Sequence, residues 1–166
     1  PGQLTVSTST DGIHFTKGEP LFTLAPPYEP VNARDPNVFH DPKTGLFHML
    51  VTTQVLDPPI PGHAACLAHL VSRDLLTWKQ QEPVWVPGEC PDCFEWNGWH
   101  YLLTGHEGVT RYRISYSWFG SWKRPRVDLF DGPQSYVMKT ARFGEKRSIR
   151  VAWVGDHGWV GHTVFR

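Results

Sequence analysis

The chain has 166 residues and zero formal net charge, since 16 basic residues balance 16 acidic ones, and 40% of the residues are apolar. This length is typical of one globular domain of roughly 100 to 200 residues, and the balanced charge provides no broad positive field for nucleic acid or anionic lipid. Because no apolar run approaches the roughly 20 residues of a membrane helix, we predict neither a nucleic-acid partner nor a membrane partner.

Short extended segments dominate the predicted secondary structure. Gly and Pro, 15 of each, interrupt the chain at short intervals, and few stretches keep the apolar spacing of a helix. The segments between these turns are rich in β-branched and aromatic residues, as is typical of strands. In chain order the predicted strands are residues 3–8, 37–40, 46–52, 64–72, 93–95, 100–104, 111–117, 136–141 and 149–154. The sequence therefore predicts an all-β protein.

One sequence pattern occurs twice. Residues 9–22 (STDGIHFTKGEPLF) and residues 72–85 (SRDLLTWKQQEPVW) share the form S-x-D-x-x-x-aromatic-x-x-x-E-P-apolar-aromatic, at an offset of 63 positions. We interpret each copy as a turn that leads into an edge strand.

A second pair of matching segments follows the first. Residues 35–50 (DPNVFHDPKTGLFHML) and residues 90–103 (CPDCFEWNGWHYLL) each run from a proline through a strand, a turn and a second strand. In the later segment the turn is Asn97 and Gly98, the strongest short hairpin signal, because both positions of a type I′ turn need positive φ. Units of about 60 residues that form small antiparallel sheets are typical of β-propeller blades, and chance similarity between two hairpins is the alternative.

A closed propeller needs about four to eight blades, which is more than this length provides. We therefore predict a partial β-propeller of about three antiparallel blades. The predicted blade-like units are residues 1–33, 34–88, 89–135 and 136–166. Copies of the chain would be expected to associate if the open sheet edges are not covered otherwise.

Two carboxylates lie where the two proline-started strands begin. In a propeller, the loops that enter the innermost strands line one mouth of the central channel. Arg34 beside Asp35 favours the ionised carboxylate, whereas the poorly solvating neighbours of Glu89 favour the protonated form. One proton donor and one ionised carboxylate are the usual means of breaking a glycosidic bond. The alternative is that Asp35 caps a turn and Glu89 lies on a solvated loop.

The motifs around these carboxylates resemble those of a known family. Residues 34–36 (RDP) and residues 89–94 (ECPDCF) are similar to two signature motifs of glycoside hydrolase family 32, the invertases, inulinases, levanases and fructosyltransferases. Residues 136–140 (YVMKT) resemble a later segment of the same family. The resemblance covers most of the chain, and it implies a five-bladed propeller that hydrolyses β-fructofuranosides such as sucrose or fructans with retention.

The resemblance also implies roles for individual residues. Glu89 would be the general acid/base and Asp35 a transition-state stabiliser, while Arg34 and Cys90 would lie in the substrate site. It implies no cofactor, an oligosaccharide or small sugar as substrate, and an extracellular or vacuolar location. A family 43-like arabinosidase or xylosidase is an alternative, although that family lacks the cysteine after the acid.

The family 32 nucleophile motif, N-D-P-N-G, has no match in the sequence. Residues 35–37 (DPN) come nearest, but Arg34 precedes them and Val38 follows them. Since a retaining mechanism needs that nucleophile, we expect this chain by itself to be an inactive part of a catalytic domain. A catalytically dead propeller that binds carbohydrate or protein is the alternative.

Aromatic residues provide further candidates. Most of the 8 tryptophans are expected to pack between blades. Trp85, just before the acid motif, and Trp153, after residues 136–140, are the two that we predict to face sugar.

A zinc site is the remaining alternative. Cys66 and His69 precede Cys90 and Cys93, and C-x-x-H followed by C-x-x-C resembles zinc-ligand spacing. If residues 64–72 form a strand, however, Cys66 and His69 point to opposite faces. We therefore predict no metal site, and the three cysteines leave the redox compartment open.

Overall fold

The computed structural model describes residues 2–130, 132, 135–144, 147–154 and 159–165. Within these ranges the regular elements are β-strands, so the all-β prediction is confirmed. None of the described residues form a helix of the length and hydropathy that a bilayer crossing requires. The strands are β1 (Leu4–Thr8), β2 (Thr16–Phe22), β3 (Arg34–Asp41), β4 (Leu46–Gln54), β5 (Ala65–Ser72), β6 (Lys79–Gln80), β7 (Glu89–Trp96), β8 (Trp99–His106), β9 (Val109–Ser115), β10 (Ser135–Phe143), β11 (Arg147–Val154) and β12 (Trp159–Phe165).

The first of two compact units is Pro1–Trp85. It contains a two-stranded antiparallel sheet, β1-β2, and a four-stranded antiparallel sheet in the order β3-β4-β5-β6. Residues 48–53 of the central strand β4 are all buried, because side chains cover both faces of that strand. The core of this unit includes the fully buried residues Tyr28, Val51, Cys66 and Leu70.

The second unit, Val86–Arg166, contains two three-stranded antiparallel sheets. Their strand orders are β7-β8-β9 and β10-β11-β12. Leu103, Met138 and Ala152 form a buried cluster between them, and aromatic side chains of β7, β8 and β9 pack against this cluster. The sheets have the size and pairing of propeller blades. The boundaries predicted for the four blade-like units stay a prediction.

The first S-x-D segment forms a compact turn between β1 and β2. The hydroxyl of Ser9 donates to Asp11 Oδ1 at 2.9 Å and accepts the backbone N–H of Gly12 at 2.9 Å. The same Asp11 oxygen accepts the backbone N–H groups of Ile13 and His14, both at 2.8 Å. One side-chain pair therefore accepts the backbone N–H groups of three successive residues of this turn.

The second S-x-D segment repeats that turn bond for bond between β5 and β6. Ser72 Oγ donates to Asp74 Oδ1 at 3.0 Å and accepts the N–H of Leu75 at 2.9 Å. Asp74 Oδ1 accepts the N–H groups of Leu76 at 2.9 Å and Thr77 at 2.7 Å. The interpretation of both copies as a turn leading into an edge strand is confirmed.

Each predicted strand corresponds to an observed one, but β3 and β7 begin earlier than predicted, before Pro36 and Pro91, and β12 has no predicted counterpart. The sequence places the start of a strand at residue 93, after Pro91, whereas β7 begins at Glu89. Proline normally interrupts a strand because it cannot donate to the ladder, but here Pro91 lies in an irregular stretch of the pairing where no regular ladder bond is lost. The predicted two-residue hairpin is confirmed, since Asn97 and Gly98 have φ values of 50° and 77°.

Candidate active site

Three strands, β3, β7 and β10, share one irregularity close to their starts. In each strand, a residue that pairs with the neighbouring strand is followed by two residues that together face a single partner residue. Regular pairing then resumes. This arrangement is a β-bulge, which bends a strand and redirects its side chains. The paired residues that precede the bulges are Arg34, Glu89 and Tyr136. The residues that follow them have positive φ: Asp35 at 55°, Cys90 at 52° and Val137 at 56°.

The bulges show which positions of β3 and β7 correspond to one another. Glu89 occupies the position of Arg34, and the counterpart of Asp35 is Cys90 rather than Glu89. Asp35 and Glu89 thus come from the same motif but from adjacent positions within it. Tyr136 is a third member of the set, which the sequence did not reveal because β10 has no proline in its bulge.

Glu89 lies at the start of β7, where it is partly buried and pairs with Gly105 of β8. The hydroxyl of Tyr136 donates a hydrogen bond of 2.5 Å to Glu89 Oε1. Hydrogen bonds from a phenol to a carboxylate are short and strong, so this contact fixes the orientation of the carboxyl group. The candidate acid of one sheet is therefore held by the residue that precedes the bulge of the other sheet in the same unit.

Two glycines make this contact sterically possible. A Cβ atom on Gly105 would lie 3.0 Å from Cε2 and Cζ of the Tyr136 ring. Gly88 has a φ of 122°, and a Cβ atom there would lie 2.7 Å from the carbonyl oxygen of Gly105. Neither glycine was predicted as part of the site, and the only sequence signal was that Gly88 directly precedes the ECPD motif.

Buried polar contacts connect β10 to the same bulge. Lys139 Nζ donates to the carbonyl oxygens of Pro91 at 2.6 Å and Cys90 at 3.1 Å. Asp92, only 5% exposed, accepts the hydroxyl of Thr140 at 2.6 Å and its backbone N–H at 2.9 Å. Burial raises the pKa of Asp92, and these hydrogen bonds oppose that shift.

The predicted residues of the first unit lie at the start of β3. Arg34 Nε is 3.5 Å from Asp35 Oδ2, so the two side chains form the expected ion pair. Arg34 also donates to the backbone carbonyl of Asn32 at 3.2 Å. The Asp35 side chain is 29% exposed, which leaves it accessible to a polar ligand.

The two predicted sugar-facing tryptophans are both exposed. Trp153 is 40% exposed and pairs with Tyr136 across β10 and β11, so it adjoins the residue that contacts Glu89. Trp85 is 49% exposed and is the last residue of the first unit. Sugar rings stack on accessible aromatic faces of this kind, and the placement of Trp153 makes it the stronger candidate.

The residues considered for zinc are divided between the two units, Cys66 and His69 in the first and Cys90 and Cys93 in the second. Cys66 is fully buried in the first unit, where burial raises its pKa to about 11, and His69 contacts His48 at 3.0 Å between ring nitrogens. Over the described part of the chain, no group of three or more His, Cys, Asp or Glu side chains has a geometry that could hold a metal ion. Burial also raises the pKa of Cys93 well above its usual value, which disfavours the thiolate.

No protein-family model matches the chain. A probable sucrose-6-phosphate hydrolase of Psychromonas ingrahamii is 33% identical over 188 aligned positions, which cover 93% of this chain. The chain spans 33% of the length of that relative.

Solved structures extend the comparison. A family 32 β-fructofuranosidase of Bombyx mori superposes with a TM-score of 0.73 at 18% identity, over 96% of this chain and 40% of its own. The chain has the fold of a family 32 glycoside hydrolase. Fructan 1-exohydrolase IIa of Cichorium intybus, in complex with 1-kestose, gives a TM-score of 0.65 at 21% identity, over 84% of this chain and 32% of its own. The inulosucrase of Halalkalicoccus jeotgali, bound to kestose, gives 0.62 at 15% identity, over 95% and 51%.

The family 32 fold confirms the predicted resemblance and the predicted propeller class. The motif residues on which that prediction depended, Arg34, Asp35, Glu89 and Cys90, lie at the bulged starts of β3 and β7 of this family 32 fold. Structural likeness at 15% to 21% identity concerns the fold alone. The catalytic roles of these residues stay predictions.

Proposed function

We propose that this chain is the part of a retaining glycosidase for β-fructofuranosides that carries the general acid/base and the transition-state stabiliser. The observation that carries the proposal is the 2.5 Å hydrogen bond by which Tyr136 holds the carboxyl group of Glu89 at a bulged strand start. Structural neighbours supply the substrate class: the Cichorium and Halalkalicoccus enzymes were solved with kestose, a fructose-containing sugar. Sucrose, fructans and, from the Psychromonas relative, sucrose-6-phosphate are the candidate substrates.

In this mechanism Glu89 acts twice. It first donates a proton to the glycosidic oxygen, so that the leaving group departs as a neutral alcohol. It then accepts a proton from the water that hydrolyses the fructosyl-enzyme intermediate. A carboxyl group held at one oxygen by Tyr136 is restrained from rotating, which suits a group that gives a proton to the glycosidic oxygen in the first step and takes one from the attacking water in the second.

Asp35 acts as the stabiliser. Its partly exposed carboxylate, paired with Arg34 at 3.5 Å, is suited to accept hydrogen bonds from sugar hydroxyls. Such bonds strengthen as the fructosyl ring gains positive charge in an oxocarbenium-like transition state. Arg34 orients the carboxylate of Asp35. Cys90 contributes to the substrate site through its position in the bulge, directly after Glu89.

The nucleophile is the missing component. A retaining enzyme places nucleophile and acid about 5 to 5.5 Å apart, and no residue of the sequence matches the N-D-P-N-G motif that supplies this group in family 32. We therefore expect little turnover from these 166 residues alone. The proposal concerns the natural polypeptide in which they occur.

The test is turnover by the natural polypeptide and its Glu89→Gln variant. With sucrose, sucrose-6-phosphate, inulin and levan as substrates, we expect fructose release from the wild type and a fall in kcat of about 10²- to 10⁴-fold in the variant. Glu95→Gln, on the same strand with a side chain that is 52% exposed, is the matched control and should retain activity.

Two results would contradict the proposal. One is near-wild-type kcat in the Glu89→Gln variant. The other is sugar binding by the wild-type polypeptide without any release of fructose, which is the behaviour of a catalytically dead binding propeller.

A further inference from the structure

Strand β10 contacts the bulge of β7 at three successive points. Tyr136 bonds Glu89 before the bulge, Lys139 bonds the bulge itself, and Thr140 bonds Asp92 after it. All of these contacts lie within the second unit. Residues that flank the bulge of β10 therefore contact β7 before, at and after its own bulge.

Lys139 makes the central contact. Its amine donates to two consecutive carbonyl oxygens, those of Cys90 at 3.1 Å and Pro91 at 2.6 Å, at the point where pairing of β7 with β8 is interrupted. Cys90 has a positive φ of 52°, a conformation that costs a non-glycine residue free energy unless its surroundings stabilise it. A single donor that bridges both carbonyl groups supplies that stabilisation.

The position of Lys139 within its own strand connects this contact to Glu89. Tyr136 and Lys139 are the two paired residues that flank the bulge of β10, just as Glu89 and Asp92 flank the bulge of β7. Movement of the Cys90 and Pro91 backbone would displace Glu89 directly, because Glu89 is the preceding residue. It would also lengthen the bond to Tyr136, whose own position is set by the same bulge as that of Lys139.

We propose that Lys139 is a positioning residue, which holds the bulged backbone of Cys90 and Pro91 so that the carboxyl group of Glu89 stays on the Tyr136 hydroxyl. This role rests on the proposed function, since it matters for turnover only if Glu89 is the acid/base. It is distinct from substrate binding, because the contacts of Lys139 are to backbone carbonyl oxygens.

The first test is kinetic and uses the natural polypeptide. Lys139→Met keeps the length of the side chain but removes its donors, so we expect kcat to fall about 10- to 100-fold with KM changed less than about threefold. Lys139→Gln restores amide donors and should recover most of the loss. Lys123→Met, an exposed lysine of the same unit, is the control and should behave as the wild type.

A second variant guards against misfolding of the first. Thr140→Val is close to isosteric and removes only the hydroxyl that bonds Asp92 at 2.6 Å. It should lower kcat about three- to tenfold with KM unchanged. Wild-type kcat in both Lys139→Met and Thr140→Val would overturn the positioning role.

The second test does not depend on turnover. In protein labelled with ¹³C at glutamate side chains, the carboxyl resonance of Glu89 should shift in Lys139→Met and return towards its wild-type position in Lys139→Gln. The resonance of Glu95 serves as internal reference. An unchanged Glu89 resonance in Lys139→Met would overturn the positioning role even if the wild type were inactive, whereas absence of fructose release from the wild type would contradict only the proposed function.

Discussion

At the scale of single residues, the geometry of the candidate site depends on Gly105, because this residue has no side chain. Gly105 pairs with Glu89, and the Tyr136 ring lies over the space that a Cβ atom on Gly105 would occupy. Atoms of the ring would then be only 3.0 Å away, closer than ordinary van der Waals contact. The glycine therefore acts through Tyr136 on the orientation of Glu89, although it has no chemical group of its own.

Gly105→Ala tests that dependence. The added methyl group should displace the Tyr136 ring and weaken its hydrogen bond to Glu89, so we expect kcat of the natural polypeptide to fall about tenfold or more. Gly132→Ala is the control, because among the described residues no atom outside its immediate chain neighbours lies within 4 Å of the position of its Cβ. Wild-type kinetics in Gly105→Ala, measured with fructose release, would show that the Tyr136 contact does not matter for turnover.

At the scale of elements, two different sequences adopt the same S-x-D turn geometry. Gly12 and Leu75 occupy the same position in the two copies, with φ values of 73° and 65°. Leucine in this left-handed conformation is disfavoured by about 1 to 2 kcal/mol, whereas glycine adopts it readily. The hydrogen bonds of Ser72 and Asp74 hold Leu75 there in spite of that cost.

Leu75→Gly is therefore expected to stabilise the chain. Relief of the unfavourable φ should exceed the entropic cost of glycine and raise the free energy of unfolding by up to about 1 kcal/mol. Leu76→Gly, at the next position, where the side chain is also exposed, should destabilise, because Leu76 does not have a positive φ. Urea unfolding of both variants measures the difference, and equal destabilisation by the two changes would contradict the prediction.

At the scale of the molecule, we expect a buried histidine pair to dominate the loss of stability in weak acid. His48 of β4 and His69 of β5 lie 3.0 Å apart between ring nitrogens, 5% and 8% exposed. Burial lowers the pKa of both, that of His69 from 6.5 to about 3, while the nearby Asp41 carboxylate opposes the shift of His48. The turn carboxylates behave differently, since backbone hydrogen bonds lower the pKa of Asp74 from 3.8 to about 2.

These shifts predict how stability depends on pH. Below about pH 6.5 the unfolded chain binds protons that the folded histidine pair excludes, so the free energy of unfolding falls by about 1.4 kcal/mol per pH unit for each excluded proton. His69→Gln should reduce the loss between pH 7 and pH 5 by about 1 to 2 kcal/mol, measured by urea unfolding. The exposed His63→Gln variant is the control. The turn carboxylate of Asp74 contributes a further loss only below about pH 5, where this residue begins to be protonated in the unfolded chain.

Much of this architecture can be inferred from local sequence. Period-two and aromatic-rich segments predict strands, Asn97 and Gly98 predict a hairpin, and the S-x-D pattern predicts a turn, because each signal depends on residues that interact with near neighbours in the chain. The starts of β3 and β7 are harder to predict from sequence, because each lies before a proline, Pro36 or Pro91, and a proline normally interrupts a strand. A proline is compatible with a strand only at an irregularity of the ladder, and that irregularity is visible only once the partner strand is in place.

In the candidate site, too, some features depend on local sequence and others on contacts between strands. The strand class, the repeated turns and the candidate residues Glu89, Asp35 and Arg34 can be inferred without a structure, because they depend on residue type and short spacing. The residues that support Glu89 are identified only once the strands are folded together: Tyr136 lies 47 positions away, and Gly105 and Lys139 act through space from other strands. Contacts of that kind are set by strand register and by the volume between side chains, and neither quantity is encoded in local spacing.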